Sequence, residues 1–241
     1  MPDITLIQYP AAGGNGTFSP PCGKVQMTLR FKRLEFSVRN VGSPAQARKF
    51  NPRGRVPTLL IDGETIVDST DIVTALDARS PDPPLNFTNP VDRAQAKVFE
   101  DWADEVLYFY LVWLRWGVDA NFERMRALRL SRLRWPMRWI LPPIARRIAR
   151  GRCRAQGVGL KGDEVVRREL AECLDALDAL LAGRRYLVGD RLSRADLSVA
   201  AVVDQMDESR LTPDAAQEVR RRPGIVAWLD RVHEAAPCAR C

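Results

Sequence analysis

The sequence predicts two parts, an α/β half over residues 1–79 and an all-helical half over residues 91–241. Three observations carry this. Up to residue 79, strand-like and helix-like patterns alternate and close on a hairpin. Residues 80–90 then hold Pro81, Pro83, Pro84 and Pro90, a linker that no helix continues through. Past the linker, the periodic segments repeat their apolar residues at helical spacing.

Taken in order, Ile4 to Gln8 alternates apolar with less apolar residues and reads as a strand. Pro10 to Phe18 contains Gly13, Gly14 and Gly16 and reads as a loop. At Ser19-Pro20 a hydroxyl residue precedes a proline, the pairing that opens a helix, here running through Val25 and Leu29 to Phe31 or Lys32. Glu35 to Val41 is a second short strand, and Ser43-Pro44 opens a helix to about Phe50. Val56 to Ile61 and Glu64 to Val67 flank Asp62-Gly63, a dipeptide that accepts the positive φ angles of a tight turn. Ser69 then reads as the cap of a helix through Ile72, Val73 and Leu76. A crossover helix joins parallel strands and a hairpin joins antiparallel ones. The expected sheet is therefore mixed and four-stranded.

In the helical half, Val91 to Trp116 reads as one long helix, followed by a basic stretch interrupted by prolines. Asp163 to Leu181 carries apolar residues at helical period. Ser193-Arg194-Ala195-Asp196 has the form of a capping box, with Leu192 and Leu197 placed as a hydrophobic staple. The helix it starts, through Val199, Val202 and Val203, is expected to be central and buried.

Composition excludes several function classes. The longest apolar run, Val106 to Leu114, falls short of the ~20 residues of a membrane span. Met-Pro-Asp at the start lacks a basic n-region, so a cytoplasmic location is expected. Five scattered cysteines make a poor disulfide framework. Cys238 and Cys241 form a C-x-x-C, but redox motifs usually open a helix and metal sites need further ligands, so no metal is expected. His233 is the only histidine, which argues against triad hydrolysis. The net charge is +7, and Arg124 to Lys161 holds eleven arginines, one lysine and no acidic residue. The remaining 25 basic and 30 acidic residues are therefore net acidic, and the basic excess is regional. That segment suits a solvated face, the steering of anionic substrates, an anionic membrane surface or nucleic acid.

Three local matches resemble the glutathione S-transferase superfamily, and with the element order they cover essentially the whole chain. Ser19-Pro20-Pro21-Cys22-Gly23-Lys24-Val25 is similar to the S/C-P-x-x-x-K/R-V segment that opens the first helix in many members and in glutaredoxins. Asn51-Pro52-Arg53-Gly54-Arg55-Val56-Pro57 resembles the N-P-x-G-K-V-P loop, and Asp68-Ser69 resembles the E/D-S pair. The resemblance implies a thioredoxin-like domain over 1–79, an all-helical domain of the transferase type over 91–241, glutathione as co-substrate, and a homodimer. It implies that Pro57 is cis, that Val56 pairs main-chain groups with the tripeptide's cysteine, and that Asp68 and Ser69 hold its γ-glutamyl end. Arg55 or Lys49 would meet the glycine carboxylate, or each is solvated surface charge. The long Pro10–Phe18 loop and the insertion ending Gln156-Gly157-Val158-Gly159 point to a divergent bacterial-type member, similar to the metaxin and failed-axon-connections-like branch.

The chemistry explains those residue types. A free thiol of pKa ~8.5 is only a few per cent ionised at pH 7. A helix N-terminus and a hydroxyl donor both favour the thiolate, and Ser19 stands where such a donor belongs. Taken alone, Ser19 and Ser69 are equally readable as caps, Pro57 as a rigid turn, and Cys22 as a buried inert thiol in the position of a resolving cysteine. Tyr108, Tyr110, Trp113 and Trp116 crowd one helix and are expected to line a pocket for a small apolar electrophile or to fill the core. The competing reading is a non-catalytic module whose glycine-rich loop reshapes the thiol site, or one that meets anionic membranes through residues 124–161.

Overall fold

The computed structural model describes residues 2–11, 16–130, 135–207 and 210–237. The expectations on Gly13, Gly14, Cys238 and Cys241 lie outside them. Two compact units divide the chain. One contains Met1–Glu100, Gly183–Ala201 and Ala227–Cys241, and the other Asp101–Ala182 and Val202–Val226.

The first unit is built on β1 (Ile4–Gln8), α1 (Pro20–Phe31), β2 (Ser37–Asn40), α2 (Pro44–Ala47), β3 (Thr58–Ile61), β4 (Glu64–Val67) and α3 (Ser69–Arg79). The sheet order is β2-β1-β3-β4, with β1 parallel to β2 and antiparallel to β3, and β3 antiparallel to β4. It is the mixed sheet expected. Successive strand residues face opposite sides, so Leu6 packs with Val25, Leu29, Ile72 and Leu76 of α1 and α3. Ile7 packs on the other face with Val41 and Ala47. At the β3–β4 turn Asp62 and Gly63 both take positive φ, 49° and 83°.

Several boundaries differ from the sequence reading. β2 is trimmed to Ser37–Asn40. β3 begins only at Thr58, because Pro57 has no N–H to donate to a ladder. α2 stops at Ala47 and the chain continues to Asn51 in turns. The cap of α3 is Asp68, whose side chain accepts the Thr70 N–H, so Ser69 is the first helical residue rather than the cap.

Lys32, at the end of α1, pins the linker. Its buried ammonium donates to the Asp77 carboxylate, to the Ser80 carbonyl at 2.7 Å and to the Pro83 carbonyl at 2.7 Å. Burial alone would raise the Asp77 carboxyl. The Lys32 ammonium, the Leu85 N–H and the Asn86 amide outweigh it and hold that carboxyl below its ordinary value.

The capping box is present before α9 (Arg194–Asp207). The buried Asp196 accepts from the Ser193 N–H at 3.0 Å, the Ser193 hydroxyl at 2.9 Å, the Leu187 N–H at 2.9 Å and the Trp228 indole at 3.0 Å. Leu192 and Leu197 are both buried beside it, and Val199 is fully buried.

The helix expected over Val91–Trp116 runs as α4 (Pro90–Trp102), a wider π-type turn (Ala103–Leu107) in which the Tyr108 N–H reaches the Ala103 carbonyl, and α5 (Tyr108–Trp116). Then come α6 (Asp119–Met125), α7 (Met137–Gln156), α8 (Asp163–Leu181), α10 (Pro213–Arg220) and α11 (Pro223–Ala235). Among the described residues, no helix is long and apolar enough to cross a membrane.

Candidate functional site

The chain leaves β1 and doubles back before α1. Pro10 and Thr17 form an antiparallel bridge, and the Ala11 N–H reaches the Gly16 carbonyl at 3.1 Å. The Thr17 hydroxyl donates to the Tyr9 carbonyl at 2.6 Å and accepts the Ser19 N–H at 3.2 Å. Underneath, the Gln8 amide donates to the Gly16 carbonyl at 3.1 Å and accepts from Gln26 of α1. These bonds tie Tyr9, Ala11, Gly16 and Thr17 to one another and to β1 and set Ser19 at the start of α1.

Ser19 has the extended backbone of an N-cap, and Pro20 follows it. Yet its hydroxyl caps no helix amide. It faces the thiol of Cys22, one turn on. Cys22 is fully buried. Burial pushes its thiol up to about 12, against the opposing pull of Ser19, the Tyr9 backbone and Thr17. A thiol held neutral and out of solvent is not a nucleophile at pH 7. Ser19 itself is half-buried, with a hydroxyl at the positive end of a twelve-residue helix.

The second corner is the loop ahead of β3. Buried Asn51 organises it: its side chain donates to the Arg55 carbonyl at 3.1 Å and accepts the Arg53 N–H at 3.0 Å. Gly54 turns at φ 65°, where a Cβ would sit 3.0 Å from the Pro44 carbonyl. The Val56–Pro57 peptide is cis. Val56 is half-buried, outside the ladder that begins at Thr58, while Arg55 and Lys49 are exposed and form no ion pair among the described residues.

The third corner is the start of α3. Asp68 sits at φ 77°, a strained setting for a residue with a Cβ, held by its bond to the Thr70 N–H at 2.9 Å. Its other carboxylate oxygen has no partner among the described residues. Ser69 follows, mostly buried, at the N-terminus of an eleven-residue helix, where backbone N–H groups favour an anion. Beside it lies a buried charge cluster. Lys24 of α1 meets Glu100 of α4 at 2.6 Å, Arg194 of α9 meets the same carboxylate at 2.8 Å, and the Thr70 hydroxyl lies 3.3 Å from both Lys24 and Glu100. Both cations share that one carboxylate next to the helix start.

The aromatic residues of α5 divide. Tyr110 and Trp113 are buried in the helical unit, the Tyr110 hydroxyl donating to Glu169 at 2.8 Å and the Trp113 indole to Asp163 at 2.9 Å. Burial, reinforced by Glu169, raises the Tyr110 phenol. Tyr108 and Trp116 are half-buried, the former edge-on to Phe109 and the latter tilted over Phe122.

Sequence reasoning quoted Lys24 and Asn51 inside motifs without giving either a role, and it passed over Thr70, Glu100 and Arg194 as site residues. Polar residues flanking the Asp68-Ser69 pair were the available signal for Thr70. Glu100 carried none, being 76 positions from its partner Lys24.

The architecture defines a class: thioredoxin-like proteins continued by an all-helical second half. Residues 16–84 match the glutathione S-transferase N-terminal domain and residues 155–235 the C-terminal domain of the same family. Together these span more than half of the chain, which belongs to the glutathione S-transferase family. It is 26% identical over 235 residues to an isoprene-epoxide–glutathione S-transferase of Rhodococcus sp. (strain AD45), covering 96% of this chain and 98% of that one. It is 25% identical over 236 residues to protein LigF of Sphingobium sp., covering 95% of this chain and 90% of that one. The crystal structure of that beta-etherase superposes with a TM-score of 0.66 over 95% of this chain and 94% of that one, at 24% identity. Mouse metaxin-2 is 21% identical over 192 residues, covering 79% of this chain and 73% of its own.

Proposed function

We propose that the chain is a glutathione transferase that binds glutathione on its α/β unit, activates the thiol with Ser19, and joins it to a small apolar electrophile. The observation that carries this is the Ser19 hydroxyl. It stands at the positive end of α1 and is not consumed in capping that helix. In this reading the Val56 main chain, ahead of Pro57, pairs with the tripeptide's cysteine. The γ-glutamyl carboxylate takes the Ser69 end of α3, where the helix amides favour an anion. Asp68 takes the α-ammonium, and Arg55 or Lys49 the glycine carboxylate. Tyr108 and Trp116, half-buried, are read as apolar surface for the electrophile, and Tyr110 and Trp113 as part of the same aromatic group. The resemblance to a protein named for an isoprene epoxide favours small epoxides among the electrophiles.

The free thiols of Cys22, Cys153 and Cys173 fit a reducing, cytoplasmic setting, and a homodimer is part of the reading. Titration calorimetry with glutathione, followed by conjugation of an aryl halide and of a small epoxide, tests it. Binding heat and turnover are expected. No heat and no thermal shift would leave the non-catalytic module as the better reading.

A further inference from the structure

The glutathione site uses none of the basic segment 124–161, and α7 gives that segment a shape. Met137, Ile140, Leu141, Ile144 and Ile148 are between 39% and 54% exposed. At about 100° per residue these five fall within an arc of about 100°, an apolar stripe along the helix. The opposite face is the packed one. Pro142 and Cys153 are buried there, and the Arg146 guanidinium donates to the Trp116 carbonyl at 2.9 Å and the Gly117 carbonyl at 2.7 Å, pairs with Asp119 and lies 4.4 Å from the Phe122 ring. Arg138 and Arg152 flank the stripe on one side, Arg147 and Arg154 on the other. All four are exposed and form no ion pair among the described residues. Trp135 and Trp139, near the helix start, are 75% and 60% exposed.

A helix whose apolar stripe is bordered by unpaired arginines matches one partner surface in both chemistries. We propose that α7 is an interfacial helix that lays the stripe from Met137 to Ile148 into an anionic lipid bilayer, with Arg138, Arg147, Arg152 and Arg154 reaching the headgroups. A second copy docked face to face would set arginines against arginines in a segment without one acidic residue. A nucleic acid would take the arginines and leave the isoleucines in water. The bilayer accepts both.

Co-sedimentation of the full chain with vesicles tests this. Vesicles of phosphatidylcholine with about one part in three anionic phosphatidylglycerol should retain it, and vesicles of phosphatidylcholine alone should not. Retention should weaken with added salt. The double variant Ile144→Glu, Ile148→Glu should lose at least about tenfold in partitioning while keeping its helix content and its glutathione binding. Each of Arg147→Gln and Arg152→Gln should cost roughly fivefold. The proposal is overturned by no retention on anionic vesicles, or by glutamate variants that bind as the parent does. It is equally overturned if, without vesicle binding, the stripe variant turns a dimer into a monomer, or the parent binds a DNA duplex that the variant binds equally well.

Discussion

Replacing Ser19 by alanine separates a catalytic hydroxyl from a capping one. A serine that caps its helix costs about 1 kcal/mol of stability when truncated. Ser19 accepts no helix amide, so Ser19→Ala should leave the thermal midpoint nearly unchanged. What it removes is a hydrogen bond to a bound thiolate, worth about 1.5–3 kcal/mol for a charged acceptor, or roughly one to two units in the thiol's pKa. If the parent holds the bound thiol near pKa ~6.5, the variant should turn over roughly fivefold to fiftyfold more slowly at pH 6.5. The gap should close to near parity above pH ~9.5, where either thiol is ionised. The assay is the pH profile of kcat for a model conjugation, with Cys22→Ala as control for the hydroxyl's internal partner. A variant with the parent's profile would remove Ser19 from the chemistry. A deficit equal at every pH would assign it to positioning.

Three further outcomes follow from named contacts. Lys32→Met should cost about 3 kcal/mol in chemical denaturation, because it takes the cation from the Asp77 carboxylate, leaving only the Leu85 and Asn86 donors, and frees two linker carbonyls. Asp77 is held below its unfolded-state value, so its contribution is present above that value and fades as pH falls through the lower native one. Asp77→Asn should therefore flatten the acid limb of the stability curve. Cys22, buried and pushed up to about 12, should escape iodoacetamide at pH 8 in the folded protein, by peptide mass spectrometry. Asn51→Ala loosens the turn ahead of Val56 and should raise KM for glutathione roughly fivefold to tenfold with kcat held, since two loop hydrogen bonds are lost.

How far the sequence reaches depends on the range of the interaction. Local chemistry was readable: the Asp62-Gly63 turn, the Ser193–Asp196 box and the Ser19-Pro20 helix start all depend on residues within a few positions of each other. The cap of α3 was misplaced by one residue because Asp and Ser are both good caps. The difference is a positive φ at Asp68, a value that no residue pattern displays. The aromatic crowd on α5 was ambiguous for another reason. Trp113 is buried with its indole on Asp163, 50 positions away, a partner that no local pattern displays. The stripe on α7 was hidden in a similar way. Its spacing was in the sequence, but not the fact that Arg146 would fasten the opposite face and leave the isoleucines outside.

The Lys24–Glu100–Arg194 cluster shows how one arrangement serves both stability and the site. Burying a single cation in apolar surroundings is costly, and pairing it removes much of the cost. Here the pairing draws on α1, α4 and α9, so the same carboxylate that makes Lys24 tolerable also ties three helices of the first unit together. Arg194 shares that carboxylate, so α9 is fastened at the same point, next to Thr70 in the first turn of α3, where the helix amides favour an anion. One buried carboxylate thus fixes the position of the helix end on which the reading of the glutathione site depends.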